Sequence, residues 1–222
     1  MAEDIVVIGA GGFGRETLDV LEAINGASRE PVWNIVGVVD DAPAPIQQQR
    51  LEARGVPLLG GGDALRSLLR TTQYVIGIGA PSARARLSAK ADGWGGRAAT
   101  LIHPTAVIGT QTSIGRGAVI CGGVQLSTNA RLGQHVHLNP GAIIGHDAIL
   151  DDFVSVNPGA IVSGEAHVRS RALIGAGAVL LQGLDVGAEA VVGASACVTR
   201  DVLAGTTVKG VPARSFADGV LL

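Results

Sequence analysis

The sequence predicts a small Rossmann-like α/β domain over residues 1–102, followed by a parallel β-helix over residues 103–222. Three observations carry that reading. Strand-like and helix-like stretches alternate through the first hundred residues. A glycine-rich turn follows the first strand. From Ile108 to Val198 an aliphatic residue stands at every sixth position without a slip.

The N-terminal elements follow from local pattern. Asp4 to Ile8 is an apolar run suited to a buried parallel strand. Gly9, Ala10, Gly11, Gly12, Phe13 and Gly14 follow at once. Arg15 to Ile24 then reads as a helix with Leu18, Leu21 and Ile24 on one face, ended by Asn25 and Gly26. A second strand, Trp33 to Val39, runs into Asp40 and Asp41. Val56 to Leu59 reads as a third strand before a helix over 63–70, and Gln73 to Ile78 as a fourth before a helix over 83–91. Arg97 to Ile102 is expected as the last strand, entering the β-helix at His103 and Pro104. Such alternation implies a small parallel sheet.

Gly9, Gly11 and Gly14 have the spacing of the dinucleotide fingerprint, with a strand before them, a helix after them and acidic residues at the end of the second strand. Glycines there let a phosphate approach backbone amides at a helix N-terminus. About 100 residues are too few for both halves of a dinucleotide fold. The expected ligand is therefore a nucleotide diphosphate, with NAD as the weaker option, held by Gly9, Gly11, Gly12, Phe13, Gly14, Arg15, Asp40 and Asp41.

The six-residue period fits neither a helix nor a simple alternating strand; it is a hexapeptide repeat. Three hexads make one triangular coil of eighteen residues. The aliphatic residue points inward, and so does the residue two before it, because strand side chains alternate. That second position is small or β-branched, as at Ala106, Thr112, Ala118 and Val124, with Leu184 the one large exception. Phe153 is the only aromatic between residues 103 and 198, as a narrow interior requires.

Composition narrows the function. A net charge of −2 argues against a nucleic-acid surface. No apolar run has the length of a membrane span, and the first residues lack a signal-peptide pattern, so a cytoplasmic protein is expected. Cys121 and Cys197 have neither metal-ligand nor disulfide-framework spacing and read as incidental thiols; no metal is expected.

Together, Val7 to Glu16, Gly37 to Asp41, His103–Pro104, Leu138–Asn139, Gly145–His146–Asp147 and Gly210 to Arg214 make the chain resemble the bacterial sugar O- and N-acyltransferases. These are typified by the sialic acid O-acetyltransferases and the nucleotide-aminosugar N-acetyltransferases. The resemblance implies a left-handed β-helix and a homotrimer, with acetyl-CoA in the groove between neighbouring subunits as co-substrate. It implies a sugar nucleotide on the N-terminal domain, His146 as catalytic base, Asp147 as the acidic residue beside it and Asn139 near the reaction centre. The chain departs from the family pattern at Phe13 and Ser155, where histidines are common.

Acetyl transfer from a thioester needs a neutral nucleophile, an acceptor for its proton and support for an oxyanion. Histidine suits the proton transfer near neutral pH. A carboxylate such as Asp147 can hold the imidazole tautomer, and a backbone N–H at Ser163–Gly164 can meet the oxyanion. Ser155 is expected to donate to the acetyl carbonyl. Gly164 is expected to leave open space over His146, and Gly175, Ala176, Gly193 and Ala194 to admit a pantetheine arm. Arg200, Lys209 and Arg214 are expected to meet coenzyme phosphates. His135 and His137 alternate with inward residues and are expected to be solvated or at a trimer contact. The first-choice acceptor is the 4-amino group of a nucleotide-linked deoxy-aminosugar, with a sialic-acid-like hydroxyl as runner-up. A non-catalytic sugar-nucleotide scaffold and a zinc-dependent, carbonic-anhydrase-like β-helix are the alternatives from other classes. The first would have no use for His146, and the second lacks its histidine constellation here.

Overall fold

The computed structural model describes residues 1–216. Its N-terminal part runs β1 (Glu3–Ile8), α1 (Gly12–Ala27), β2 (Trp33–Val39), α2 (Pro45–Glu52), α3 (Gly62–Leu68), β3 (Gln73–Ile76), α4 (Pro81–Gly93) and β4 (Arg97–Ala98). The four strands form a parallel sheet in the order β2-β1-β3-β4. The chain reverses direction across the sheet between β1 and β3. In such sheets the carboxyl ends of those two strands open the ligand crevice.

Three details differ from expectation. The strand expected at Val56–Leu59 shrinks to a single bridge between Val38 and Leu58. Helix α2 has no apolar period to announce it: Leu51 is its one buried residue. Its start is set by Pro45 and by Ala44 N–H donating to Gln47 Oε1 at 2.8 Å. The stretch Arg97–Ile102 is divided, because β4 closes the N-terminal sheet whereas Leu101–Ile102 already pairs with Val119–Ile120 in the β-helix.

From Leu101 onward the chain winds a triangular prism of two-residue strands. The first face carries Val119–Ile120, His137–Leu138, Ser155–Val156, Leu173–Ile174 and Val191–Val192. The second carries Val107–Ile108 through Cys197–Val198, and the third Ser113–Ile114 through Asp185–Val186. From Leu101–Ile102 to Cys197–Val198 the pairings between coils are parallel and in register eighteen residues apart, and the last coil shortens the spacing to sixteen at Val191–Thr207. In each pair the second residue is the sixth-position aliphatic. Ile120, Leu138, Val156, Ile174 and Val192 are completely buried, each worth about 1.5–3 kcal/mol of burial. At the top, Thr207–Lys209 and Arg214–Phe216 form an antiparallel pair that closes the first face.

The N-terminal domain sits on the first face. Leu101, Val119 and Cys121 share one apolar cluster with Leu18, Leu21 and Val75. Beside it Arg84, fully buried, donates to the carbonyls of Ile78, Gly79, His135, Phe153 and Val154 and to Ser155 Oγ. His135 and His137 do point away from the prism axis, but into this seam, and both are fully buried. Phe13 stacks on the His137 ring with centroids 4.5 Å apart, and Phe153 on His135 at 5.4 Å. Solvation and trimer contact are thereby overturned for both. Cys121 is buried in the same seam, which pushes its thiol up to about 12, so it is inert.

A candidate active site on the prism edge

His146 and Asp147 lie on the edge between the second and third faces, in the turn between Ile144 and Ile149. Both are exposed. His146 Nδ1 meets Asp147 Oδ2 at 2.8 Å. Asp147 takes a positive φ of 59°, which turns its carboxylate back toward the ring. The bond to His146 and then that to Asn129 hold the Asp147 carboxyl below the usual carboxylate range. Among the described residues, Nε2 has no hydrogen-bond partner.

Gly164 stands one coil above. A Cβ there would come within 2.6 Å of His146 Nε2 and 2.7 Å of Cε1. The space above the histidine is therefore filled by its own ring, which corrects the expectation of a channel at this point. Gly164 makes room for the imidazole, and its N–H bonds to nothing among the described residues.

Ser155 is not at this edge. It is buried in the domain seam, accepts from Arg84 at 2.9 Å and donates to the Gly79 carbonyl at 3.0 Å. A coenzyme role for it is overturned, because the first face is covered there. Asn139 lies on the edge between the first and second faces, nearly buried, with Nδ2 donating to the Val156 carbonyl at 3.0 Å. The single chain does not bring it to His146. The same Asn139 edge, higher up, gathers Gly175, Ala176, Gly193 and Ala194, with Ala176 and Ala194 exposed and one coil apart. Lys209 and Arg214 face each other across the closing hairpin, with Lys209 beside Gly193. Gly175 also lets coils stack, since a Cβ would lie 2.6 Å from Val192 O. Arg200 is exposed at the end of the second face, on the other edge.

The glycine loop frames a second candidate site. Gly9 has φ +111°, and a Cβ on Gly14 would lie 1.9 Å from the Gly9 carbonyl oxygen, so α1 meets β1 only through glycine. No acidic residue stands in the first turn of α1, which leaves its N-terminus open to an anion. The Arg15 guanidinium braces the loop through the Ala10 carbonyl. Asp40 accepts from Ala10 N–H and Ala42 N–H at 2.8 and 3.0 Å; it shapes the loop with the carboxylate expected to meet ligand. Asp41 accepts from Gly62 N–H. Between these loops lies a cavity of about 200 Å³, floored by Ile8, Val39, Leu65, Ile78 and Leu87, with Asp40, Asp41 and Lys90 as its charged groups. Phe13 is turned to the prism and does not line it. Sequence reading missed Lys90: α4 lacks a marked apolar face, so nothing in the pattern showed which way that lysine turns.

The comparisons with known proteins agree with this geometry. The PglD N-terminal domain family matches residues 4–91. PerB from Caulobacter crescentus, in complex with CoA and GDP-perosamine, superposes with a TM-score of 0.85 at 29% identity, over 98% of this chain and 99% of that one. The acetyltransferase domain of PglB from Neisseria gonorrhoeae FA1090, in complex with acetyl coenzyme A, gives 0.82 at 27% identity, over 97% and 100%. The chain is an acyltransferase with a PglD-type N-terminal domain and a β-helix. WeeI from Acinetobacter baumannii AYE is another structure similar to this acyltransferase, with a TM-score of 0.81 at 27% identity over 97% and 100%. No curated protein sequence matches the acyltransferase. Among its described residues no helix is long and apolar enough to cross a membrane.

Proposed function

We propose that the enzyme transfers the acetyl group of acetyl-CoA to the 4-amino group of a nucleotide-linked deoxy-aminosugar, with His146 as general base. The observation that carries the reading is the His146–Asp147 pair on an open prism edge, with Nδ1 engaged and Nε2 available. A similar chain crystallised with CoA and GDP-perosamine supports the substrate class.

The steps balance. The amine attacks the thioester carbonyl, and Nε2 of His146 takes the proton from nitrogen. The Gly164 N–H is the nearby backbone donor for the oxyanion. Collapse expels the coenzyme sulfur, which receives that proton from the imidazolium, leaving an amide and free thiol. Lys209 and Arg214 are the cations for the coenzyme phosphates, and Ala176 and Ala194 leave a smooth edge for its arm. The cavity beside the glycine loop takes the nucleobase, with Asp41 and Lys90 as its polar readers.

One chain cannot complete this site. The nucleotide cavity lies on the side of the first face, since Gly79 after β3 touches Ser155 there. His146 lies on the opposite edge of the triangle. The acceptor of one subunit must therefore meet the base of another, as a homotrimer would arrange. The outward column of the second face, with Val107, Ile143, Ile161 and Val179 against Gln125 and Cys197, is the apolar surface for that contact. Light scattering should give about three times the 22.4 kDa chain mass.

The test is thiol release from acetyl-CoA with UDP-, GDP- and dTDP-linked 4-amino sugars, and with free sialic acid alongside. Release with one amino sugar is expected. Release only with sialic acid would move the reaction to O-acetylation, and coenzyme that fails to bind would end the transferase reading.

A further inference from the structure

We infer that Asn129 is a positioning residue for this reaction: its carboxamide holds the Asp147 carboxylate, which in turn holds the His146 ring. The inference rests on His146 being the base, as proposed above.

Asn129 and Asp147 occupy equivalent places in successive coils, both in left-handed backbone with φ of 59°. Short polar side chains tolerate that conformation. That accounts for an Asn or an Asp at each position, but not for the contact between them. Asn129 Nδ2 donates to Asp147 Oδ1 at 3.0 Å, while Asp147 Oδ2 accepts from His146 Nδ1 at 2.8 Å. An ionised carboxylate only accepts, so the contact decides which way the Asn129 amide faces.

The geometry has a chemical consequence. A carboxylate anchored at one oxygen still rotates about its own bond. Anchored at both, it presents Oδ2 to the imidazole in one direction. This keeps the proton on Nδ1 and leaves Nε2 as the basic nitrogen. The other charged groups here are Arg131 and Glu165. Arg131 also lowers the Asp147 carboxyl, and lines one open groove with Gln111, Asn129, Asp147 and Ile149. Glu165, one coil above, donates its backbone N–H to the His146 carbonyl at 2.8 Å. Of all these groups, only the Asn129 side chain donates a hydrogen bond to the free Asp147 oxygen.

Two substitutions isolate the carboxamide. Asn129→Gly keeps the left-handed turn and removes the donor. Asn129→Asp keeps the shape and sets an acceptor and a negative charge against Asp147. The His146 titration is read from imidazole Cε1–H signals of the full chain, assigned with His146→Gln, and kcat and KM are measured across the same pH range. The glycine variant is expected to lower the His146 midpoint and to cut kcat by about ten- to a hundredfold, with KM for acetyl-CoA held. The aspartate variant is expected to raise the midpoint, because added negative charge favours the imidazolium. A purely structural role would not move the midpoint in opposite directions. Retained turnover in His146→Gln would overturn the base assignment by itself. An essential His146 with both midpoints and kcat unmoved would overturn the Asn129 assignment alone.

Discussion

His137 and His146 lie nine residues apart along one coil, and both side chains point away from the prism axis. Their surroundings are opposite. His137 is fully buried beneath Phe13 with neither ring nitrogen hydrogen-bonded, whereas the side chain of His146 is 59% exposed and paired with a carboxylate. The repeat sets the direction of a side chain, and the domain docked on one face decides whether that direction means solvent or seam. One imidazole is thereby kept neutral by burial, and the other stands at the surface beside a carboxylate. The seam is built from buried polar groups that stabilise only while satisfied; the edge is built from exposed groups that stabilise little.

The largest expected effect separates the two regions by activity. His146→Ala should lower turnover by at least about a hundredfold and leave the melting temperature close to that of the unsubstituted chain, because an exposed side chain contributes little to folding. An equal loss of stability would dissolve the distinction. Arg84→Ala should do the reverse. It strips the hydrogen bonds from several buried carbonyls and should cost about 3 kcal/mol or more in urea unfolding. A loss under about 0.5 kcal/mol would show that water replaces the guanidinium.

Acid should find the seam next. Burial lowers His135 to about 4, and lowers His137 well below its ordinary value with Arg84 and His135 adding to the effect. The unfolded chain titrates near 6.5. Between those values the unfolded state binds more protons, so folded stability is full above about 6.5 and falls as pH drops toward 4. For His135 alone the loss between pH 7 and pH 5 should be about 2 kcal/mol, seen as a lower urea midpoint. A midpoint flat over that range would mean the ring is hydrated. The smallest effect belongs to Gly164→Ala. The added methyl meets the His146 ring, not backbone, and should displace it enough to lower kcat about tenfold without unfolding the coil. An unchanged kcat would show that the ring has room to move.

Much of the fold was legible because periodicity reports direction. The sixth-position aliphatics, the triangular coil and the eighteen-residue stacking of His146 under Gly164 all follow from the spacing. The glycine loop was legible because close approach of α1 to β1 leaves no room for a side chain. Helix α2 was not, since its sequence has almost no apolar face. Ser155 was misread for a different reason: the repeat marks it as outward, and nothing in the repeat says that Arg84 from α4 lies over it. Asp40 was placed at the right loop, but its bonds to Ala10 and Ala42 depend on how two loops meet.

The sequence by itself determined the two folds and the nucleotide-type loop, because each rests on short-range spacing, and the resemblance it carries pointed to His146 as the candidate base. Only the tertiary structure decided which prism face the N-terminal domain covers. With that came the burial of His135, His137 and Ser155, the turn of Lys90 into the cavity, and the placing of His146 on the edge opposite the face that the N-terminal domain covers. Those facts depend on contacts between residues some fifty to eighty positions apart, which no local period encodes.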